Sequence, residues 1–314
     1  MIITVTLNPS IDRTINLDKL KLGSINRSKN VQVDPGGKGV NVSRALSAFG
    51  SKTHAILICA GLAGQWFSKA LGDQEISNTI VKSHGITRNN MTLVETDGTI
   101  TKINEPGSAL NDESIEAVKN ELSKFDLKNN WVVFAGRPSP GSPENIYSTL
   151  ADFVYEREAK VAVDASGKFL VNVINGRGPD LIKPNQHELS TLVDRPITTI
   201  NAAIDASLQI INKGVKKVIC SLGVDGALYV DSENVIHAEP KNPAKGNPVG
   251  AGDILLGIFL GAGADKSALK KAVAWAAASV ELPGTSIPTA SHAAKIEVFV
   301  EDKINTTRTL AEVI

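Results

Sequence analysis

Cysteine is nearly absent from this 314-residue chain: there are two, Cys59 and Cys220. Each lies inside an apolar run, Ala55-Ile56-Leu57-Ile58-Cys59 and Val218-Ile219-Cys220, where a thiol acts as a small core hydrophobe. A disulfide framework, a thiolate metal site and a cysteine nucleophile are therefore not expected. Net charge is also missing, because 33 basic residues balance 33 acidic ones. That balance argues against bulk attraction to nucleic acid or to an anionic membrane surface. No apolar segment is long and charge-free enough to span a bilayer. The chain enters Ile2-Ile3-Thr4-Val5-Thr6-Leu7 without the basic stretch and apolar region of a secretory leader, so a cytoplasmic location is expected. The five histidines (His54, His84, His187, His237, His292) lack metal-ligand spacing and read as structural or surface residues. Two phosphate-binding signatures are missing as well. There is no Gly-x-x-x-x-Gly-Lys-Ser/Thr stretch, and no Gly-x-Gly-x-x-Gly follows the first strand, which excludes a Walker loop and a dinucleotide fingerprint.

What is present is alternation. Short β-branched runs at residues 2–7, 54–60, 131–135, 160–164, 181–183, 218–222 and 227–230 predict buried strands. Between them, residues 39–49, 65–71, 112–125, 143–158, 199–212 and 267–281 predict helices. Strand and helix in turn imply βαβ units, a mainly parallel sheet with helices on both faces, and ligands beyond the carboxyl ends of the strands. The length fits a single α/β domain over residues 1–314. Half-polar strands at 11–17, 30–33, 91–95 and 99–103, the last two joined by Thr96-Asp97-Gly98, predict a small antiparallel sheet. These excursions, at about 10–35 and 88–105, would fold over the site as a lid. The loop from Lys241 to Pro248 is a candidate mobile segment.

The most informative stretch is Pro248-Val249-Gly250-Ala251-Gly252-Asp253, followed at once by an apolar run. Small residues leave backbone N–H groups open at the start of a helix, where the dipole favours an anion. A carboxylate beside an anion hole is the pairing that phosphoryl transfer needs, although Asp253 is also a favoured helix-start residue. Three other motifs precede it: Thr6-Leu7-Asn8-Pro9-Ser10-Ile11-Asp12, Gly36-Gly37-Lys38-Gly39-Val40-Asn41-Val42 and Lys183-Pro184-Asn185-Gln186-His187-Glu188-Leu189. In this order the four resemble the ribokinase-like (phosphofructokinase B type) sugar kinases, over essentially the whole chain. The resemblance extends to the phosphorylated-hexose branch through Gly85-Ile86-Thr87-Arg88-Asn89-Asn90, Ile103-Asn104-Glu105-Pro106-Gly107 and Leu282-Pro283-Gly284-Thr285.

The resemblance implies a three-layer α/β/α sandwich with a β-sheet lid, which in relatives can form a homodimer contact. It implies ATP and Mg2+ as cofactors and a phosphosugar as acceptor. Fructose 1-phosphate phosphorylated at C6 is the expected reaction. Tagatose 6-phosphate or fructose 6-phosphate phosphorylated at C1 is the alternative, and a phosphosugar-binding protein without turnover is the rival of another class. In this reading Asp253 is the general base, and Gly250, Ala251 and Gly252 form the anion hole. Asp12, Gly36, Gly37, Lys38 and Asn41 contact the acceptor, with Arg88, and less strongly Arg27 and Lys38, reaching its phosphate. Lys183, Asn185, Glu188, Ser221, Gly223, Gly226 and Ser279 face the nucleotide together with Gly250 and Gly252. Asn185 and Glu188 organise water and magnesium in relatives; their spacing also fits a helix capping pair. The small side chains Ala276-Ala277-Ala278-Ser279 offer a surface for a flat adenine. One departure stands out: relatives carry a Gly-Ser-Leu-Pro type loop, and here Arg137 in Ala135-Gly136-Arg137-Pro138-Ser139 occupies the place of the serine. A guanidinium there would add a charged donor for the acceptor phosphate.

Overall fold

The computed structural model describes residues 1–244, 246–301 and 304–311; Lys245, inside the loop expected to be mobile, lies outside the described residues. The chain starts with β1 (Ile2–Thr6), leaves the main sheet for β2 (Ser10–Leu17) and β3 (Asn30–Gly36), and returns through α1 (Lys38–Ala48) to β4 (Thr53–Ala60). After α2 (Ala63–Gly72) and β5 (Ser77–Ser83) it leaves again for β6 (Arg88–Glu95) and β7 (Ile100–Asn104). A regular succession follows: α3 (Asp112–Leu122), β8 (Trp131–Ala135), α4 (Ile146–Tyr155), β9 (Lys160–Asp164), α5 (Lys168–Asn175), β10 (Leu181–Ile182), α6 (Gln186–Val193), α7 (Ile200–Ile211) and β11 (Val218–Ser221). Then come β12 (Ala227–Val230), β13 (Val235–Pro240), α8 (Ala251–Gly261), α9 (Leu269–Val280), α10 (Ala290–Ala293) and β14 (Val298–Glu301).

The main sheet has ten strands in the order β14-β13-β12-β11-β10-β9-β8-β1-β4-β5. Pairing is parallel from β11 to β5 and antiparallel from β11 to β14. Successive side chains of a strand point to opposite faces, and this alternation divides the core. Ile3, Val5, Ile56, Val132, Phe134, Val161 and Val163 pack with α3 to α7 on one face. Ile2, Val133, Ala162 and Leu181 pack with α1, α8 and α9 on the other, and Ala55, Leu57 and Cys59 meet α2 there. The result is the three-layer α/β/α arrangement. Both cysteines are free and buried. Among the described residues no helix is long and apolar enough to cross a membrane.

The lid is a four-stranded sheet in the order β3-β2-β6-β7. Its two hairpin pairs are antiparallel, and the central β2 and β6 run parallel, Ser10 facing Arg88 and Asp12 facing Asn90. That register sets Asp12 and Arg88 near one edge of the lid. In the main sheet β1, β8, β9, β10 and β11 all run parallel, and their carboxyl ends lead into Asn8, Gly136, Asp164, Lys183 and Ser221. The cleft lies there, under the lid.

Candidate active site

Helix α8 begins at Gly250, whose φ of +84° is a left-handed conformation that favours glycine. It has no side-chain cap. Ala251 N–H returns to Pro248 O and Asp253 N–H to Gly250 O. Among the described residues the N–H groups of Gly250 and Gly252 have no acceptor, so two donors are left facing the cleft. A Cβ at Gly252 would lie 3.0 Å from Lys183 Nζ, so the lysine head approaches the helix start closely. Asp253, in the first turn, is 7% exposed and accepts a hydrogen bond from Asn41 Nδ2 at 2.8 Å. Burial, reinforced by the negative charge of Asp164 and opposed by Lys38, pushes its carboxyl up to about 6.

Behind Asn41 stands Arg44, also buried on α1. Its Nη1 donates to Thr285 O at 3.1 Å and lies 3.5 Å from Asn41 Oδ1. With a donor on its oxygen side, the Asn41 amide is oriented to give its N–H to Asp253. The floor of the cleft is an ion triad built around a buried carboxylate, with Lys183 buried and Lys38 part-exposed. Asp164, fully buried at the end of β9, takes a hydrogen bond from Lys38 Nζ at 2.7 Å and lies 3.2 Å from Lys183 Nζ. Burial alone would raise the Asp164 carboxyl, but the two ammonium groups hold it below the ordinary carboxylate range. Burial likewise acts against the charge on Lys38, and the carboxylates of Asp164, Asp253 and Glu188 outweigh it, so its pKa is raised.

Under the lid, Asp12 Oδ1 accepts from Ser10 Oγ at 2.7 Å and from Asn90 Nδ2 at 3.1 Å. Burial raises its carboxyl despite those donors. Arg88 donates through Nη1 to Glu105 O at 3.3 Å and leaves Nε without a partner. Burial lowers its pKa, opposed by Asp12. Arg88 also lines a small cavity of about 20 Å3 shared with Ser108 and Ser139. At the opposite end of the cleft, a 3-10 turn at Gly223–Asp225 follows β11. Val224, Pro243, Ala244, Val273, Ala276, Ala277 and Val280 form an apolar slot beside it.

The whole cleft encloses about 880 Å3. It brings together Asp12, Gly37, Lys38, Asn41, Arg88, Lys183, Asn185, Glu188, Ser221, Gly223, Gly226, Gly250, Ala251, Gly252 and Asp253. Four residues singled out in the sequence stand outside its lining. Gly36 lies directly behind Asp12, where a Cβ would come within 2.1 Å of the carboxylate. Ser279 is buried and bonds to Ala276 O. Arg27 and Arg137 are exposed. Asn185 and Glu188 form a reciprocal capping box at the start of α6, so the capping geometry suggested by their spacing is present. Residues the sequence reading passed over are Ser10, Asn90 and Lys102 in the lining, Asp164 beneath it and Arg44 behind it. Asp164 carried a usable signal, since it ends a parallel strand at the ligand-bearing edge.

Among the described residues no group of three or more His, Cys, Asp or Glu could cage a metal. Glu188, with one oxygen given to the cap, is a donor that suits magnesium delivered by a nucleotide, since this ion keeps its waters and rests mainly on phosphate oxygens.

A cleft with an uncapped helix start, a buried carboxylate beside it and a β-sheet cover has the parts that a small-molecule phosphotransferase needs. The chain belongs to the pfkB family of carbohydrate kinases, whose model matches residues 5–292, and its fold is ribokinase-like. It is 35% identical over 259 residues to the 1-phosphofructokinase of Xanthomonas campestris pv. campestris, covering 81% of each chain. It is 32% identical to the tagatose-6-phosphate kinase of Staphylococcus epidermidis, covering 88% of this chain and 90% of that one. The crystal structure of phosphofructokinase-2 from Escherichia coli in complex with fructose-6-phosphate superimposes with a TM-score of 0.85 at 29% identity, over 94% of this chain and 97% of that one.

Proposed function

We propose that the chain is an ATP-dependent kinase that phosphorylates fructose 1-phosphate at C6, giving fructose 1,6-bisphosphate and ADP. The observation that carries the chemistry is Asp253, a buried carboxylate raised to about 6 in the first turn of a helix with two free N–H donors. Such a group is ionised at neutral pH yet basic enough to take a proton from a sugar hydroxyl as it attacks. In this mechanism Asp253 accepts the C6 hydroxyl proton and the oxygen attacks the γ-phosphorus in line. The N–H groups of Gly250 and Gly252, with the Lys183 ammonium beside them, stabilise the charge of the transferring group. Asp12 and Asn41 hold acceptor hydroxyls. Arg88, a cation in the cleft lining, holds the existing phosphate, and Lys102 on β7 adds a second cation on the same side. The triphosphate lies along Ser221, Gly223 and Gly226, and the adenine fills the apolar slot. Glu188 and Asn185 would hold magnesium through water, and the ion would supply neutralisation of phosphate charge.

Fructose 1-phosphate is preferred on the similarity to 1-phosphofructokinases. The likeness to tagatose-6-phosphate kinases at comparable identity keeps a C1 transfer to a 6-phosphate as the second reading. A coupled ADP-release assay across fructose 1-phosphate, fructose 6-phosphate, tagatose 6-phosphate and the unphosphorylated sugars tests both. The highest kcat/KM is expected with fructose 1-phosphate, and no ADP release with any sugar rules out the kinase. The exposed Val31, Val33, Ile100 and Ile103 of the lid support a homodimer formed through it, which sedimentation of the purified protein tests.

A further inference from the structure

Among the described residues, the tail of the chain meets the cleft beside the 3-10 turn. Residues 304–311 lie along the start of α7: Asn201 N–H donates to Thr306 O, Ile200 N–H to Arg308 O and Leu310 N–H to Thr198 O. Thr199 and Thr309 form an isolated antiparallel bridge, and Leu310 is buried in the core. From this anchorage the tail reaches the 3-10 turn after β11. Arg308 Nη2 donates to Asp225 Oδ1 at 2.6 Å, Arg308 Nη1 pairs with Glu239 Oε2 at 2.6 Å, and Ala311 N–H donates to Asp225 Oδ2 at 2.7 Å. Asp225 is 6% exposed, and its carbonyl accepts from His237 Nε2 at 2.7 Å. Gly223, Val224 and Gly226, on either side of Asp225, line the cleft, and so does Ala311.

We infer that Arg308 is a positioning residue for the nucleotide. The inference rests on reading this end of the cleft as the nucleotide end. The turn carries two glycines at positive φ, Gly223 at +62° and Gly226 at +77°, so its backbone has little intrinsic stiffness. Beyond its own backbone hydrogen bonds and the one from His237, it is held in place by the carboxylate of Asp225, each oxygen of which is satisfied by the tail. Removing the guanidinium leaves one buried oxygen without its donor, and the turn moves to recover water. Displacement of a binding loop by about 1 Å is enough to cost affinity. None of these contacts involves the lid, Arg88 or Asp12, so the effect is confined to one substrate.

The test is calorimetric titration with ADP, plus steady-state kinetics, on the full chain and on Arg308→Ala, Arg308→Lys and Glu239→Gln. For Arg308→Ala, ADP affinity falls and KM for ATP rises about tenfold, while kcat and the acceptor KM stay within about twofold. Arg308→Lys recovers part of the loss, because one ammonium can hold Asp225 but cannot fork across both carboxylates. Glu239→Gln has the smallest effect. Equal ADP affinity in the unsubstituted chain and in folded Arg308→Ala, or an equal rise in KM for both substrates, overturns the inference. If Arg308→Ala does not fold, unchanged ADP affinity in both Arg308→Lys and Glu239→Gln overturns it. An unsubstituted chain that binds no ADP overturns instead the reading of the cleft.

Discussion

The part of the cleft under the lid is lined by polar and charged side chains, Ser10, Asp12, Arg88, Asn90 and Lys102, each on a strand. The part beside the 3-10 turn is lined by Gly223, Val224, Gly226, Ala276 and Ala277, where backbone and small apolar groups dominate. On the proposed function the first region would recognise by functional group, so deleting a side chain would delete a contact. The second would recognise by shape and backbone dipoles, so adding atoms would do the damage. Asp253 and the ion triad of Lys38, Asp164 and Lys183 lie with both regions in the same cleft.

The largest effect should come where the two regions meet. Asp253→Asn is expected to lower kcat by roughly two to four orders of magnitude with little change in substrate affinity, read by turnover and by equilibrium binding. Near-normal turnover in a folded variant would remove the assigned base. Next is the lid side. Arg88→Ala should raise the acceptor KM by roughly one to two orders of magnitude and leave the KM for ATP unchanged. Equal weakening of both substrates would mean that Arg88 supports the lid and not the ligand. On the turn side, bulk is the probe. A Cβ at Gly226 would sit 2.1 Å from Ala238 O at a φ of +77°, so Gly226→Ala should raise the KM for ATP about tenfold with the acceptor KM unmoved.

The pH dependence follows from Asp253. In the proposed mechanism activity needs its ionised form, so log kcat/KM should fall by about one per pH unit below about 6. For stability the sign is opposite. The folded-state value of about 6 stands above the unfolded value near 3.9, so the native state binds the extra proton between them. The corresponding stability is present at acid pH and lost as pH rises through about 6. Asp253→Asn is free of that loss and should gain melting temperature over the unsubstituted chain at pH 8 more than at pH 4; an equal difference at both would contradict the burial assigned to the carboxylate. The smallest effect belongs to Arg137→Ser. The side chain is exposed and outside the cleft lining, so the acceptor KM and its salt dependence should change by less than about twofold.

What could be read from the sequence follows the same division. Backbone-built features leave local marks: the Gly250-Ala251-Gly252-Asp253 helix start and the Asn185-Glu188 pair are contiguous or three apart. The parallel sheet was legible from its β-branched runs, whereas β5, β13 and β14 were not assigned. All three lie toward the sheet edges; polar residues interrupt the apolar pattern in β5 (Ser77, Asn78) and β13 (His237, Glu239). The predicted helix at 143–158 shortens to Ile146–Tyr155 because Pro143-Glu144-Asn145 forms the turn that precedes it. Asp164 was hidden for another reason. Its strand reads as ordinary core, and one of its lysine partners is 126 residues away. Lys102 and Arg44 gain their positions from the lid register and from Thr285, which no local pattern encodes.

The hydrogen bond from Asn41 to Asp253 spans 212 residues, and that from Arg44 to Thr285 spans 241. During synthesis α1 emerges long before the groups that Asn41 and Arg44 meet. Contacts this distant in sequence are slow to form, and a nascent chain must wait with its first helix uncovered by α8. A product terminated before residue 285 would keep the parallel strands and the lid yet leave Arg44, which stands behind Asn41, without its Thr285 acceptor.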